Sequence, residues 1–235
     1  MRSKKKIKGS KGAKRTLITL INPRSPISEQ YRTIRSNIQF SMIDDESFKL
    51  VACTSASPED GKSTTIANLA VTFAQQGQRV LLVDADLRKP TIHQIMEVGN
   101  KKGLTTLITK RTNSKDAIVS TKTNNLYVLP SGPIPPNPSE LLGSKMMTNV
   151  IEDLSKKFDL ILFDTPPVLA VTDAQVLGNR CDGVVLVLKS GQTEKKNLIK
   201  AKELLDRAQA NVIGTIINAA DSKSANNYYY YGRDK

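Results

Sequence analysis

The chain has 235 residues, of which 39% are apolar, and this is enough for one α/β domain with a packed core. No stretch approaches the roughly 20 consecutive apolar residues that cross a bilayer, and the N-terminus lacks an apolar signal region, so we expect a cytoplasmic protein. Two cysteines without C-x-x-C spacing, Cys53 and Cys181, and a single histidine, His93, are too few for a disulfide framework, a zinc site or a histidine-based triad.

The formal net charge of +13 is concentrated at the N-terminus. The first fifteen residues hold eight of the 35 basic residues and no acid, which leaves 27 basic against 22 acidic residues, a net charge of +5, in the rest of the chain. Because this Lys-, Gly- and Ser-rich stretch cannot bury apolar area, we expect residues 1–21 to form a basic, flexible segment. Its charge suits an anionic lipid surface or an acidic protein segment, and without interleaved aromatic residues we expect no specific nucleic acid partner.

A helix of about residues 28–42 is predicted next, with Ser28 as its N-cap and Tyr31, Ile34 and Ile38 on one face. From Phe48 onward, short aliphatic runs alternate with helical segments, which is typical of a parallel sheet flanked by helices. The predicted strands are 49–54, 80–84, 126–130, 160–164, 184–188 and 212–218. The predicted helices between them include 63–76, closed by Gly77, 139–156 and 194–210, whereas residues 99–125 look less regular.

The strongest motif lies between the first of these strands and an amphipathic helix. Its chemistry requires inward-facing backbone N–H groups at a helix N-terminus, a Lys for the β- and γ-phosphates of a nucleotide and a hydroxyl for Mg²⁺. Ala56 stands where the first Gly of such a loop is usual, which is acceptable only if its φ is negative. The predicted nucleotide-binding residues are Ser57, Pro58, Glu59, Asp60, Gly61, Lys62, Ser63 and Thr64. The sequence therefore predicts a P-loop NTPase, a three-layer α/β fold with a mostly parallel central sheet.

Two further strands end in carboxylates. Asp84 and Asp86 follow the apolar run 80–83, and Asp164 ends the run 160–163. Ligands of an open parallel sheet collect outside the carboxyl ends of its strands, so we expect these three acids to face the phosphate loop. A site for Mg²⁺ and a nucleotide needs such acids to hold the metal directly or through water.

The C-terminus carries four consecutive tyrosines in a polar tail, predicted to be mobile over residues 221–235. They are Tyr228, Tyr229, Tyr230 and Tyr231. An active site that recognises an extended segment with little sequence demand could phosphorylate each in turn. Four phosphates would add about −6 to −8 charge, which exceeds the +5 of the chain after residue 15.

The motifs together resemble those of the bacterial tyrosine kinases, autokinases of the MinD/ParA-type P-loop fold that regulate capsule and exopolysaccharide synthesis. The shared features are a deviant Walker A box, the Asp84-x-Asp86 strand followed by Leu87-Arg88-Lys89-Pro90, and Asp164-Thr165-Pro166-Pro167. Glu29, Arg32 and Arg35 match the E-x-x-R-x-x-R oligomerisation motif of that family. The resemblance runs from about Asn22 to the C-terminus, so residues 22–220 are predicted to be the kinase domain.

The resemblance implies a role for each site residue. Lys62 would contact the phosphates, Ser63, Asp86 and Asp164 would lie near Mg²⁺, and Asp84 would accept the tyrosine proton. Asn218 matches the adenine-reading Asn of this fold. A carboxylate so close to Mg²⁺ has a depressed pKa and is a weak base, so positioning and charge neutralisation are expected to contribute more to the rate than proton abstraction.

The resemblance also implies partners. A kinase of this type forms a homo-oligomer or ring, is recruited to the inner face of the membrane by the cytoplasmic tail of an activator protein, and acts on proteins with accessible tyrosines. A tyrosine phosphatase would reverse its action. Two alternatives stay open: a ParA/MinD-like ATPase switch, disfavoured because Ser57 replaces the signature lysine of that group, and a nucleotide-binding regulatory subunit without kinase activity.

Overall fold

The computed structural model describes residues 17–41 and 48–220. Of the segment 1–21 that was predicted to be basic and flexible, residues 1–16 lie outside the described residues, whereas Ile18–Ile21 form a short helix in which Thr19 is buried. The predicted helix end at Met42 and the tyrosine cluster also lie outside the described residues. No helix within the described ranges is long and apolar enough to cross a membrane.

The centre of the molecule is a seven-stranded sheet in the order β3-β4-β2-β5-β1-β6-β7. All neighbouring strands are parallel except β3, which pairs antiparallel with β4 at one edge. The strands are β1 Leu50–Ser55, β2 Val80–Asp84, β3 Val119–Ser120, β4 Leu126–Leu129, β5 Leu160–Asp164, β6 Gly183–Lys189 and β7 Val212–Asn218. The six predicted strands are confirmed to within one residue, and β3, with only two residues, is too short to give a periodic pattern.

Ten helices occur in the described part of the chain. They are α1 Ile18–Ile21, α2 Pro26–Phe40, α3 Lys62–Ala74, α4 Ile92–Ile95, α5 Leu104–Ile108, α6 Ser114–Ala117, α7 Pro138–Gly143, α8 Lys145–Ser155, α9 Asp173–Gly178 and α10 Lys195–Arg207. The prediction of one helix over 139–156 is wrong, because Ser144 is extended (φ −70°, ψ 156°) and separates α7 from α8. Its hydroxyl accepts the N–H of Met147 at 3.2 Å and so caps α8, a contact that contributes about 1 kcal/mol.

The prediction that Ser28 caps the helix before the core is also wrong. The cap is Ser25, whose hydroxyl accepts the N–H of Ser28 at 3.1 Å, and Pro26 occupies the first helical position, where its missing N–H leaves no bond unmade. Ser28 is buried instead, and its hydroxyl donates to the carbonyl of Asn22 at 2.7 Å. The apolar face is as predicted, since Ile38 is buried and Tyr31 and Ile34 pack against the same core.

The sheet separates two hydrophobic cores, which makes the fold three-layered. Along β2, Leu81 and Val83 face the core built with α5, α8, α9 and α10, whereas Val80 and Leu82 face the core built with α2, α3 and α4. A strand buried on both faces has no polar side, and this explains why the strand sequences are continuous apolar runs. The carboxyl ends of β1, β2 and β5 meet at one edge, with Asp84 in register with Asp164.

Candidate active site

The loop of residues 56–61 leads from β1 into α3 and adopts the backbone of an anion-binding turn. Glu59 and Gly61 have φ values of 67° and 90°. Alternation between left- and right-handed residues turns successive N–H groups toward one point, and the N-terminus of α3 adds its own unpaired donors there. Ala56, in place of the usual Gly, is buried and is not among the residues with positive φ, so its side chain is tolerated.

Lys62, the first residue of α3, lies between two of the predicted carboxylates. Its Nζ is 3.1 Å from Asp86 Oδ2, 3.2 Å from Asp164 Oδ1 and 3.2 Å from the hydroxyl of Ser63. Burial by itself would lower the pKa of Lys62, but the charges of Asp164 and Asp86 outweigh it and the pKa is raised. Lys62 therefore remains a cation at the point where phosphate groups would enter.

Asp84 lies at the same edge but makes different contacts. Its Oδ2 accepts the N–H groups of Thr91 and Ile92, both at 3.0 Å, whereas its Oδ1 is buried and has no hydrogen-bond partner among the described residues. Burial, assisted by the negative charge of Asp164, raises the pKa of Asp84 to about 8. Burial also raises the pKa of Asp164, against the opposing charge of Lys62. In the metal-free site, burial therefore decides the protonation of Asp84.

The donor set fits Mg²⁺ bound together with a phosphorylated ligand. Ser63, Asp86 and Asp164 offer hydroxyl and carboxylate oxygens, which Mg²⁺ prefers. Three carboxylates face the single ammonium of Lys62, so the ionised cluster has an excess of negative charge. Within the described ranges, no three His, Cys, Asp or Glu side chains converge into a cage that holds a metal without help. This suits Mg²⁺, which usually binds through one or two carboxylates and completes its shell with phosphate and water.

The remaining loop residues have distinct environments. Pro58 and Glu59 are exposed, Ser57 and Thr64 are half-buried, and Asp60 is buried with a carboxylate that accepts the N–H of Ser57 at 3.0 Å. Asn218 ends β7 beside the loop, and its Nδ2 donates to the carbonyl of Asp60 at 2.9 Å. The structure thus brings Asn218 to the phosphate loop, as a residue near a bound nucleotide should be.

Replacing Gly61 by Ala should weaken nucleotide binding at least about tenfold and destabilise the fold by about 1–2 kcal/mol. The new Cβ would lie 2.0 Å from Asn218 Nδ2 in a residue with φ of 90°. Gly77→Ala is the matched control, because Gly77 has φ of 94° but nothing within 4 Å of an added Cβ. We expect Gly77→Ala to lower the thermal midpoint alone; an equal loss of fluorescent ADP binding in both variants would contradict this role for Gly61.

The residues of the predicted oligomerisation motif lie on α2. Glu29 and Arg32 form an ion pair, and Arg32 also donates to the carbonyl of Pro23 at 2.7 Å. Arg35 points toward α3 and donates to the carbonyl of Thr72 at 3.0 Å, and burial, followed by the charge of Arg32, lowers its pKa. Glu29 and Arg32 therefore remain at the surface, whereas Arg35 also connects α2 to the helix that follows the phosphate loop.

A polar cluster of Arg88, Asp173 and Ser139 lies next to the site. Arg88 makes two hydrogen bonds to the carboxylate of Asp173, at 2.9 and 3.0 Å, and a third to Ser139 at 3.1 Å. The side chain of Asp173 is fully buried, and the guanidinium of Arg88 compensates its negative charge. Because Arg88 follows Asp86 by two residues, the sequence places it near the site, but nothing in the local sequence indicates that Asp173 is its partner.

Comparisons with known proteins identify the family of the chain. The AAA domain family matches residues 48–212. The chain is 49% identical to the tyrosine-protein kinase YwqD of Bacillus subtilis over 228 residues, which cover 97% of this chain and 95% of YwqD.

Two solved structures are also similar. The chimerical protein CapA2B2 has a TM-score of 0.84 and 43% identity, covering 88% of this chain and 90% of that one. The kinase domain of the Escherichia coli tyrosine kinase ETK has a TM-score of 0.82 and 31% identity, covering 88% and 82% of the two chains. Together with the P-loop, the acids at the strand ends and the three-layer fold, these similarities show that the chain belongs to the bacterial tyrosine kinases and is a tyrosine-protein kinase.

Proposed function

We propose that the protein transfers the γ-phosphoryl group of ATP to the C-terminal tyrosines of a neighbouring copy of itself, and thereby regulates capsule or exopolysaccharide synthesis. The observation that carries this is the position of Lys62 between Asp86 and Asp164, at the N-terminus of α3 and beside Asp84. Binding and neutralising phosphate charge at such a point is the main requirement of phosphoryl transfer.

Each residue has a role that follows from its contacts. Lys62 holds the β- and γ-phosphates, and the backbone N–H groups of residues 59–63 surround them. Ser63, Asp86 and Asp164 hold Mg²⁺, which when bound neutralises and aligns the phosphate oxygens. Asp84 accepts the proton of the tyrosine hydroxyl at Oδ1, the oxygen that has no other hydrogen-bond partner. Its pKa of about 8 in the metal-free site makes it a stronger base than an ordinary carboxylate once it is ionised.

The partners follow from the family. The kinase works at the inner face of the membrane with the cytoplasmic tail of a separate activator protein, acts on other proteins with accessible tyrosines, and is reversed by a tyrosine phosphatase. Oligomer contacts through Glu29, Arg32 and Arg35 hold one chain's tail near the site of the next. The side chain of Glu29 is exposed and that of Arg32 is half-buried, with 54% and 31% of their surface accessible, so both can reach a neighbouring subunit.

A mixing experiment tests the reaction and its intermolecular character. The donor is a chain in which Tyr228 to Tyr231 are replaced by Phe, and the acceptor is a Lys62→Met chain with an intact tail. With Mg·ATP and the activator tail present, we expect phosphotyrosine on the acceptor tail, detected by mass spectrometry. Phosphate release from ATP without phosphotyrosine would favour the ATPase switch. An unmodified acceptor tail, while the wild-type chain incubated separately phosphorylates its own tail, would contradict transfer between copies.

The same mixture tests the oligomer contact. Replacing Arg32 and Arg35 by Ala in both chains is expected to lower the oligomer size, measured by sedimentation, together with the rate of acceptor phosphorylation. Arg111→Ala, which removes an exposed arginine from another part of the chain, is the matched control. An unchanged size and rate in the double variant would contradict the role of α2 in assembly.

A further inference from the structure

The phosphate loop contains an acid, Asp60, directly before Gly61 and Lys62. A free carboxylate at this position would repel the phosphates that the loop is built to bind. Asp60 is instead only 4% exposed, and both of its carboxylate oxygens are engaged within the protein. Oδ2 accepts the N–H of Ser57 at 3.0 Å, and Oδ1 accepts the hydroxyl of Thr193 at 2.8 Å.

Thr193 lies 133 residues further along the chain, in the turn between β6 and α10. Its hydroxyl also accepts the N–H of Lys189, the last residue of β6, at 2.8 Å. Because a hydroxyl has one proton to donate, the bond from Lys189 leaves that proton for Asp60 and fixes the direction of the Thr193–Asp60 bond. The contact therefore has one defined orientation, held by the end of a central strand.

A second connection reaches the loop from β7. Asn218 donates to the carbonyl of Asp60, and the carbonyl of Asn218 accepts the N–H of Ser190 at 2.9 Å. The turn after β6, the end of β7 and the phosphate loop thus form one hydrogen-bonded unit. Asp60 is the residue at which both connections meet.

We propose that Thr193 is a positioning residue of the nucleotide site, which acts through Asp60. The hydroxyl of Thr193 keeps the carboxylate of Asp60 turned into the loop. There the carboxylate accepts the N–H of Ser57 and stays away from the bound phosphates. This inference rests on the proposed nucleotide site. Thr193, which lies outside the phosphate motif, then helps to set the affinity for ATP.

Replacing Thr193 by Val keeps the shape of the side chain and removes the hydroxyl. Asp60 then has one donor too few for a buried carboxylate, and it can satisfy Oδ1 only by turning toward solvent at the mouth of the loop. We expect the dissociation constant for Mg·ATP to rise on the order of 10- to 100-fold, with a parallel rise in KM for ATP and a change in kcat of less than about threefold. Thr193→Ser, which keeps the hydroxyl, should restore most of the affinity.

The experiment uses the full chain and a fluorescent ATP analogue with Mg²⁺, so that binding is measured independently of kinase activity. The control is Thr109→Val, because within the described part of the chain the hydroxyl of Thr109 bonds to the backbone carbonyls of Thr105 and Thr106 in α5 and to no residue of the phosphate loop. Thermal midpoints identify any variant that fails to fold, and Thr193→Ala then replaces Thr193→Val. The expected result is weaker binding in Thr193→Val or Thr193→Ala, with most of the affinity kept in Thr193→Ser and wild-type affinity in Thr109→Val.

Three outcomes would overturn the proposal. Thr193→Val that binds as tightly as the wild type shows that the hydroxyl does not position the loop, whereas the proposed kinase function would stand. Thr193→Ser that binds as weakly as Thr193→Val shows that the effect is one of packing. A wild-type chain that binds no nucleotide removes the proposed function and this inference together.

Discussion

Lys62→Met should lower the rate of tyrosine phosphorylation by at least about 1,000-fold. Methionine replaces the unbranched apolar part of the side chain but lacks the ammonium that lies 3.1 Å from Asp86 and 3.2 Å from Asp164. The phosphates would then lie next to carboxylates without a cation between them. The rate falls because the transition state loses its contact with the ammonium and because the carboxylates repel the phosphates. The rate is measured by mass spectrometry of the tail peptide over time.

The matched control for this variant is Lys157→Met, which removes an exposed lysine whose Nζ donates to the hydroxyl of Ser114 at 3.0 Å. We expect wild-type activity from it. Loss of Lys62 also leaves buried carboxylates without a counter-charge, so these carboxylates should bind protons more readily than in the wild type. We therefore expect the folded Lys62→Met chain to be less stable at pH 8 than at pH 6. Activity within tenfold of the wild type in a folded Lys62→Met chain would contradict the role of Lys62.

Asp84→Asn should stabilise the metal-free protein at pH 8 while lowering its kinase activity by about 100- to 10,000-fold. The folded-state pKa of Asp84, about 8, is above the value of about 3.9 of an unfolded Asp. Between these values the unfolded chain has lost the proton that the folded chain keeps, so stability attributable to Asp84 is complete below about pH 4 and falls as the pH rises to about 8. Asparagine has no such titration, and its amide oxygen can still accept the N–H groups of Thr91 and Ile92.

Urea unfolding in EDTA at pH 5, 6, 7 and 8 measures this difference. We expect the free energy of unfolding of the wild type to fall relative to Asp84→Asn across the series, by about 2–5 kcal/mol in total. Nucleotide binding should be retained by the variant, because Asp84 makes none of the contacts of the phosphate loop. A constant difference between the two proteins at all four pH values would contradict the raised pKa of Asp84.

The central sheet could be predicted closely from the sequence because its inner strands, such as β2 and β5, are continuous apolar runs buried on both faces. Asp84 and Asp164 could be predicted to face the phosphate loop for a related reason, since parallel strands place their carboxyl ends at one edge. The helix boundaries were harder to predict. Ser25 and Ser28 are both good caps, and the choice of Ser25 depends on Pro26 and on the burial of Ser28 against Asn22. Ser144 breaks the helix over 139–156 through a single extended residue, which a periodic apolar pattern does not reveal.

The site differs from the prediction mainly in its long-range contacts. The local sequence indicates that Asp60 belongs to a phosphate loop. Its carboxylate, however, bonds to Thr193 in the turn after β6, and its carbonyl bonds to Asn218 at the end of β7, both far away in the sequence. Asp173 is similar, because only the fold shows that Arg88 compensates it. The pKa of Asp84 also depends on the fold, since burial raises it in the metal-free site, whereas proximity to Mg²⁺ was expected to lower it.

The most direct test of the proposed function is mass spectrometry of the C-terminal peptide after incubation of the full chain with Mg·ATP and the cytoplasmic tail of its activator, beside the Lys62→Met chain. We expect phosphate on Tyr228, Tyr229, Tyr230 and Tyr231 in the wild type and none in the variant. Consumption of ATP with an unmodified tail, or equal phosphorylation of both chains, would contradict the proposal that this kinase phosphorylates its own tyrosine cluster.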